Sequence, residues 1–410
     1  MTTTTLEAAK KILVKLRNAG YQAYFVGGCV RDMLMGKPIE DIDIATDAPP
    51  VIVSTIFPNT LALGAAFGII VVKEDGQLFE VATFRSDENY KDGRHPQHVV
   101  FSSMKDDVLR RDFTINGMYY DPFEEKLFDL VEGQRDIEKQ VIRTIGHPKL
   151  RFSEDKLRIL RAIRFSSSLG FSLDPATERA ILKEAPTLIH SVSPERIWQE
   201  LKKMLRKHPY ESLFLLIKLK VITIIFPELR NIPYGLLQTS IEFSKKLNPK
   251  DFPEILFLLP LFQGVSEEAA CVAFSRLRIS NKELQFIELW YKALPQFQNI
   301  QNNHVFWAHF LASPTAKLLL SLFSATQKDP LKQQYFISRV QQLESRLEKF
   351  ILRIKNSSPL ISAADLISRG IAPGRLLGDL LKEAEILSIE NNCHDKEKIL
   401  SLLKEKGFWK

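Results

Sequence analysis

Cysteine is scarce. Three thiols, Cys29, Cys271 and Cys393, are scattered over 410 residues, none in a C-x-x-C spacing. That argues against a disulfide-framed secreted module, gives no zinc signal, and fits free thiols in a reducing cytoplasm. Long apolar runs are lacking as well. No stretch reaches 18 uncharged apolar residues. The nearest, ESLFLLIKLKVITIIF, is interrupted by two lysines and reads as a buried helix, so no membrane partner is expected. The N-terminal MTTTTLEAAKKILVKL carries no apolar core with a small-residue cleavage site, so no secretory leader is expected. Fixed-period repeats and low-complexity segments are missing too.

The rest is ordinary for a globular protein: 45% hydrophobic and 26% charged residues. A chain of 410 residues exceeds what one core usually fills, so two or more domains are expected. The net charge of +7 fits an anionic partner such as RNA without demanding one. Texture changes near residue 145. Before it, YFVGG, IDIAT, FGIIVV and LFEVATF read as strands, preceded by an amphipathic helix over 6–18. After it, helical periodicity takes over. SEDKLRILRAIRFSSSLG predicts a helix opening at Ser153 and stopping at Gly170. SPERIWQELKKMLRK repeats the plan with Ser193 as cap and Pro194 in the first turn. Helix continues to the end, with breaks near Pro227, Pro249 to Pro253, Pro314 and Ser357 to Pro359.

The chemistry begins at YFVGGCVRDMLMGKPIEDIDIAT. Alternate strand residues share a face, so Asp41 and Asp43 project together while Ile42 and Ile44 turn to the core. Two carboxylates so close are costly unless a divalent cation lies between them, and hard oxygen ligands favour Mg²⁺ or Mn²⁺. Gly27 and Gly28 follow a strand and precede a helical stretch. Backbone free of side chains there admits phosphate oxygens, and Arg31 adds charge-assisted hydrogen bonds. A phosphate cradle beside paired aspartates describes nucleotidyl transfer with loss of pyrophosphate. Glu80 lies on a strand that is expected to return beside the aspartates, as a third carboxylate or as an exposed strand acid. Arg110, Arg111, Asp112 and Asn116 gather charge and an amide at an expected helix start, as phosphate and ribose ligands or as surface ion pairs.

These residues resemble the first motif of the class II tRNA nucleotidyltransferases (CCA-adding enzymes) and their relatives, the bacterial poly(A) polymerases. The likeness continues in order. FEVATFRSDENYKDGRHPQHVVF (79–101) is similar to the family's strand and flexible loop. RRDFTINGMYYDP (110–122) is similar to its ribose- and triphosphate-binding motif, with Gly117 where Ala is common. DLVEGQRDIEKQVIRTIG (129–146) resembles the segment joining head to neck, RFSEDKLRILRAIRF (151–165) the nucleobase-selecting motif, and ERIWQEL (195–201) its buttress. The resemblance implies an α/β nucleotidyltransferase head with a small mixed β-sheet, followed by an all-α neck, body and tail. The implied domains are 1–145, 146–210, 211–330 and 331–410. It also implies a Mg²⁺-dependent cytoplasmic enzyme acting on tRNA or another RNA 3′ end, with ATP and CTP as substrates.

Asp155 and Arg158, three apart, are expected to share a helix face. A carboxylate accepts and a guanidinium donates. Cytosine and adenine each present an amino donor beside a ring-nitrogen acceptor, and so fit; uracil and guanine present the reverse pattern. Glu154, Arg161 and Arg164 are expected to orient this pair, with Glu195, Arg196 and Glu200 behind them. In 336–354, Phe336, Val340, Leu343, Leu347, Phe350 and Ile354 form an apolar stripe. Arg339, Arg346, Lys349 and Arg353 lie off it, as an RNA-tracking face or a solvated one. PLISAADLISRGIAPGRLLGDLL (359–381) is similar to a C-terminal module of the family. His394-Asp395 is expected at the surface. The stretch LGAAFGIIVV (63–72) lacks the arginines of the poly(A) branch and favours tRNA. Poly(A) addition, partial CC or A addition, and a non-catalytic RNA binder are the alternatives.

Overall fold

The computed structural model describes residues 3–64, 68–90, 96–300 and 303–407. Two compact units divide the chain: Met1–Tyr234 with Arg276–Arg278, and Gly235–Ser275 with Ile279–Lys410.

The first unit opens with α1 (Thr3–Asn18). Its Ala8, Ile12 and Leu16 recur at helical spacing and are fully buried. Then come β1 (Ala23–Val26), α2 (Gly28–Leu34), β2 (Asp43–Thr46), α3 (Pro50–Ile56), β3 (Thr60–Gly64), β4 (Ile69–Glu74) and β5 (Gln77–Thr83). A ribbon of β6 (Arg85–Tyr90) and β7 (Pro96–Phe101) leads to α4 (Met104–Leu109), β8 (Met118–Asp121) and β9 (Lys126–Asp129). Residues 65–67 and 91–95, within two of the motif segments above, lie outside the described residues. Seven strands form one mixed sheet in the order β3-β4-β5-β2-β1-β8-β9. Among the described residues of this sheet, only β2 and β5 pair in parallel. Strand period separates two faces. Phe25, Ile42, Ile44, Phe79 and Val81 pack with α1 and α3 on one side. Val26 and Ala45 pack on the other with Phe84, Val108, Tyr119 and Ile145.

After the sheet come α5 (Gly133–Glu138), a short strand β10 (Val141–Ile142), α6 (Pro148–Glu154) and α7 (Leu157–Leu169). Gly170 closes α7 in the left-handed region at φ 74°, where glycine is favoured. The single helix expected from Ser153 is therefore two. Asp155 is extended, at φ −145°, and its Oδ1 accepts from the N–H of Leu157, the first residue of α7, at 3.0 Å. Arg158 Nη1 donates to the Arg151 carbonyl at 3.0 Å, satisfying the end of α6. Strand β11 (Ser172–Leu173), α8 (Pro175–Glu184) and α9 (Leu188–Ser191) lead to α10 (Pro194–Lys207), which packs on α7 and begins at Ser193-Pro194 as its sequence predicts. ESLFLLIKLKVITIIF is not one helix: α11 (Pro209–Lys218) ends, Lys220 turns left-handed at φ 58°, and α12 (Ile222–Ile225) follows.

The second unit is helical among the described residues. Its longest helix, Pro330–Lys355, buries Phe336, Val340, Leu343, Leu347, Phe350 and Ile351. Ile354, expected in that stripe, is only half-buried. Arg353 is a tertiary tie: Nη2 donates to Ser388 Oγ at 2.8 Å and Glu385 Oε1 at 3.3 Å. Gly374 precedes helix Arg375–Glu390, and exposed His394 stacks on Phe350 with ring centroids 4.5 Å apart. No single described helix is long and apolar enough to cross a membrane.

Candidate active site

Gly27 ends β1 with φ 77° and ψ −130°, a conformation that disfavours any side chain. A Cβ placed there would lie 3.7 Å from Asp43 Oδ2 and 3.9 Å from Arg111 Nη1. Those are ordinary contacts, so the left-handed backbone rather than lack of space calls for glycine, and the turn runs beside an acid and a base. Asp43 is the first residue of β2, and Asp41 precedes the strand. Both are exposed while Ile42 and Ile44 are buried, so the alternation expected of them holds. The register Ile44↔Val81 sets Glu80 beside Asp43 on the same sheet face. Among the described residues, the three carboxylates make no hydrogen bond or ion pair. Asp43 stays open to water, yet protein crowds its flanks. Burial first, then the charge of Glu80, lifts its pKa to about 6; Arg111 opposes the rise and Asp41 adds to it. No three acids, histidines or cysteines among the described residues close a complete metal cage. A pair of carboxylates, with the remaining positions left to phosphate oxygens and water, is a donor set that suits Mg²⁺.

The expected helix start at Arg110 is a helix end. A capping box of Ser103 and Asp106 begins α4 upstream, and Arg110 is its C-cap. Asn116 closes a single 3₁₀ turn, Thr114–Asn116. Arg111 is held by Asp107, from Nε at 3.1 Å and Nη2 at 2.9 Å, and Arg110 Nε reaches the other oxygen at 2.8 Å. The Tyr119 hydroxyl donates to Asp107 at 2.6 Å and accepts from Arg111 Nε at 3.2 Å. Burial works against the Asp107 charge, but Arg111 and Arg110 outweigh it and hold the carboxyl below its usual range. Asp107 and Tyr119 escape the sequence reading; the spacing of Asp107 to Arg110 and Arg111 was the available signal. Arg31 is buried, with Nη1 on Asn116 Oδ1 at 2.7 Å and Nε on Asp32 at 2.9 Å.

Four arginine–acid ties bind the neighbouring helices. Arg161 grips Asp112 Oδ2, from Nε at 2.7 Å and Nη2 at 2.6 Å. Asp112 Oδ1 accepts from the Phe113 N–H, so both oxygens of this expected ribose ligand are engaged. Arg164 donates to Glu200 at 2.7 Å. Arg158 donates to Glu154 at 2.7 Å and to the Arg110 carbonyl at 3.0 Å. Asp155 pairs with Arg196 at 3.2 Å. The Asp155–Arg158 pair expected on one helix face is thus corrected: the break at Asp155 gives each its own partner. Burial opposes the Asp112 charge, but Arg161 and Arg158 hold it below its usual range. Arg151 Nη2 donates to the Arg111 carbonyl at 2.9 Å, so the segment carrying Arg110 and Arg111 receives α6 and α7 through its backbone.

A mixed sheet with paired acids beside a glycine turn, followed by an arginine-rich helical segment, defines a nucleotidyltransferase-type site. Comparison with known proteins agrees. Residues 23–143 match the family model described as "Poly A polymerase head domain", and residues 170–232 match "Probable RNA and SrmB- binding site of polymerase A". The chain is 40% identical to the CCA-adding enzyme of Bacillus pumilus over 275 residues, 67% of this chain and 68% of that one. It is 33% identical to the CCA-adding enzyme of Staphylococcus epidermidis over 399 residues, 96% of each. The crystal structure of the Bacillus stearothermophilus CCA-adding enzyme in complex with CTP superposes with a TM-score of 0.77 at 30% identity, covering 99% of this chain and 98% of that one. The chain belongs to the CCA-adding enzyme family.

Proposed function

We propose that this protein adds CMP, CMP and AMP to the 3′ ends of tRNAs that lack them, drawing on CTP and ATP. The relatives named above support the reaction, and the CTP complex of one of them supports the nucleotide. The observation that carries the reading is the meeting of Asp43 with Asp41 and Glu80 at the Gly27 turn, acids that make no ion pair among the described residues, with Arg111 nearby only partly offsetting their charge.

In this reading Asp41 and Asp43 hold Mg²⁺, with Glu80 adding negative charge beside them. Bound there, the metal supplies charge neutralisation of the triphosphate and a more acidic RNA 3′ hydroxyl. Gly27 and Gly28 admit the phosphates to the backbone, and Arg31 and Arg111 face them. Asn116 holds Arg31 in place. Asp112 acts through Arg161, orienting it beside the nucleotide. The 3′ hydroxyl attacks the α-phosphorus, and pyrophosphate leaves. Asp155 accepts from the base's amino group and Arg158 donates to its ring nitrogen. Arg196 and Glu154 fix their positions, and Arg164 with Glu200 braces α7. Residues 1–145 serve as head, 146–210 as neck, 211–330 as body and 331–410 as an RNA-binding tail, in the cytoplasm.

The test is incubation with tRNA trimmed of its CCA end, Mg²⁺, and CTP or ATP singly and together. Three added nucleotides are expected. A long A tail selects poly(A) addition, a partial end selects a CC- or A-adding enzyme, and tRNA binding without incorporation selects a non-catalytic RNA binder.

A further inference from the structure

Phe165 is a buried side chain on α7, 7% exposed. Its ring draws an unusual set of neighbours. The guanidinium carbon of Arg164 lies 4.3 Å from its centroid, that of Arg161 5.4 Å, and that of Arg31 5.6 Å. Phe113 meets it edge-on, at 5.7 Å and 76°. Two of the arginines come from α7 itself, and the third comes from α2, just after the glycine turn.

Three guanidinium groups around one ring repel one another. Each has one carboxylate: Arg31 has Asp32, Arg161 has Asp112, and Arg164 has Glu200. Arg164 sits below its ordinary range. Burial works against its charge, Glu200 supports it, and Arg161 opposes it. An aromatic face attracts a cation through its quadrupole, yet takes up none of its N–H donors. A further carboxylate would hold the arginines together too, but by consuming the edges that an anionic ligand needs. The ring therefore gathers charge while leaving hydrogen-bonding capacity open.

We propose that Phe165 is a positioning residue for the incoming nucleoside triphosphate, gathering Arg31, Arg161 and Arg164 by their faces so that N–H edges remain for phosphate oxygens. This rests on the nucleotide-transfer reading above. It gives a buried aromatic a part in binding that does not depend on which base is carried. It also ties α2, beside the triphosphate, to α7, beside the base.

The test replaces Phe165 with mono-, di- and trifluorinated phenylalanine, which keep its size while weakening the ring's quadrupole step by step. KM is measured for CTP and for ATP at saturating tRNA, and Kd for non-hydrolysable CTP. Both are expected to rise with fluorination, by about threefold to tenfold at the trifluoro ring. The CTP and ATP values should rise in parallel, with the KM for tRNA and the melting temperature unmoved. Phe165→Leu should weaken nucleotide binding at least as far as the trifluoro ring, and Phe165→Tyr should restore it. A flat series in KM and Kd, or a change confined to melting temperature or to the choice between CTP and ATP, overturns the proposal. If the wild type adds nothing to trimmed tRNA, the functional reading falls first, and the Kd series still decides: absence of nucleotide binding, or a flat series, sinks the role of Phe165. A wild type that adds CCA with a flat series sinks that role alone.

Discussion

In the segment proposed as the neck, Arg161 faces Asp112 of the proposed head, Arg164 faces Glu200, Arg158 faces Glu154 and Arg196 faces Asp155. In the head, Asp41, Asp43 and Glu80 have no such partner among the described residues, and Asp43 is lifted to about 6. The neck's pairs are complete in themselves: they fix side-chain directions before any ligand arrives. The head's acids carry an electrostatic cost until something positive joins them. The comparison separates two tasks. In the function proposed above, shape that selects a base is built from paired charge, whereas the place that breaks a phosphoanhydride is built from charge that the reaction's own participants complete.

The largest effect that sharpens this contrast is expected from Asp43→Asn. Incorporation into trimmed tRNA should drop by about a thousandfold or more, the scale of several kcal/mol of lost transition-state stabilisation. Binding of labelled tRNA should persist. Turnover within tenfold of wild type would remove the head's acids from the chemistry.

Arg158→Ala breaks the paired region instead. It strips Glu154 of one of its two arginine partners, removes the donor to the Arg110 carbonyl, and leaves the Arg151 carbonyl only the Asp155 N–H at 3.4 Å. Stability should fall by about 1–3 kcal/mol, read as a lower denaturation midpoint. UTP and GTP should be misincorporated about tenfold more readily, one hydrogen bond's worth of discrimination. Unaltered selection would move base reading elsewhere.

A smaller, pH-dependent effect follows from Asp43. Its folded pKa of about 6 lies above the ordinary carboxylate range. The folded state therefore binds the proton more tightly than the unfolded one, and the stability this gives is lost as pH rises from about 4 to 6. Melting of the metal-free protein should show that loss, and Asp43→Asn should flatten it. Protons also compete with the cation, so apparent Mg²⁺ affinity, read by calorimetry, should weaken below pH 6 and not above pH 7.

The smallest effect is expected from Lys207→Ala, which removes an exposed contact with Glu40 at 2.6 Å. Such pairs contribute less than about 1 kcal/mol. Unchanged incorporation would show that this surface tie between neck and head is dispensable, although it adjoins Asp41.

Much of this was legible from residues alone. The β-branched runs marked β1, β2, β4 and β5, and the alternation at Asp41 to Ile44 predicted their faces. The polar RSDENY hid the β6–β7 ribbon, because pairing there is not announced by apolar alternation. The helix break at Asp155 was hidden for a different reason: Glu-Asp-Lys is compatible with helix, and only the tertiary reach of Arg158 to the Arg110 and Arg151 carbonyls makes the interruption favourable. Asp107 drew no reading from its sequence, because the partner that it meets when buried, the Tyr119 hydroxyl, lies twelve residues further on. Contacts between distant segments are what a local pattern cannot carry.

The order of strands has a consequence for synthesis. Strand β1 lies between β2 and β8. Its β2 side pairs once residue 46 is made, but its other edge waits until Met118–Asp121 emerge. Throughout translation of residues 47–117, a nascent chain presents an open backbone edge in the middle of its future sheet, the kind of surface that invites wrong partners. The site at Gly27 sits at the end of that strand, so it cannot be completed early. A substitution in β8 would therefore be felt during synthesis as well as in the stability of the finished molecule.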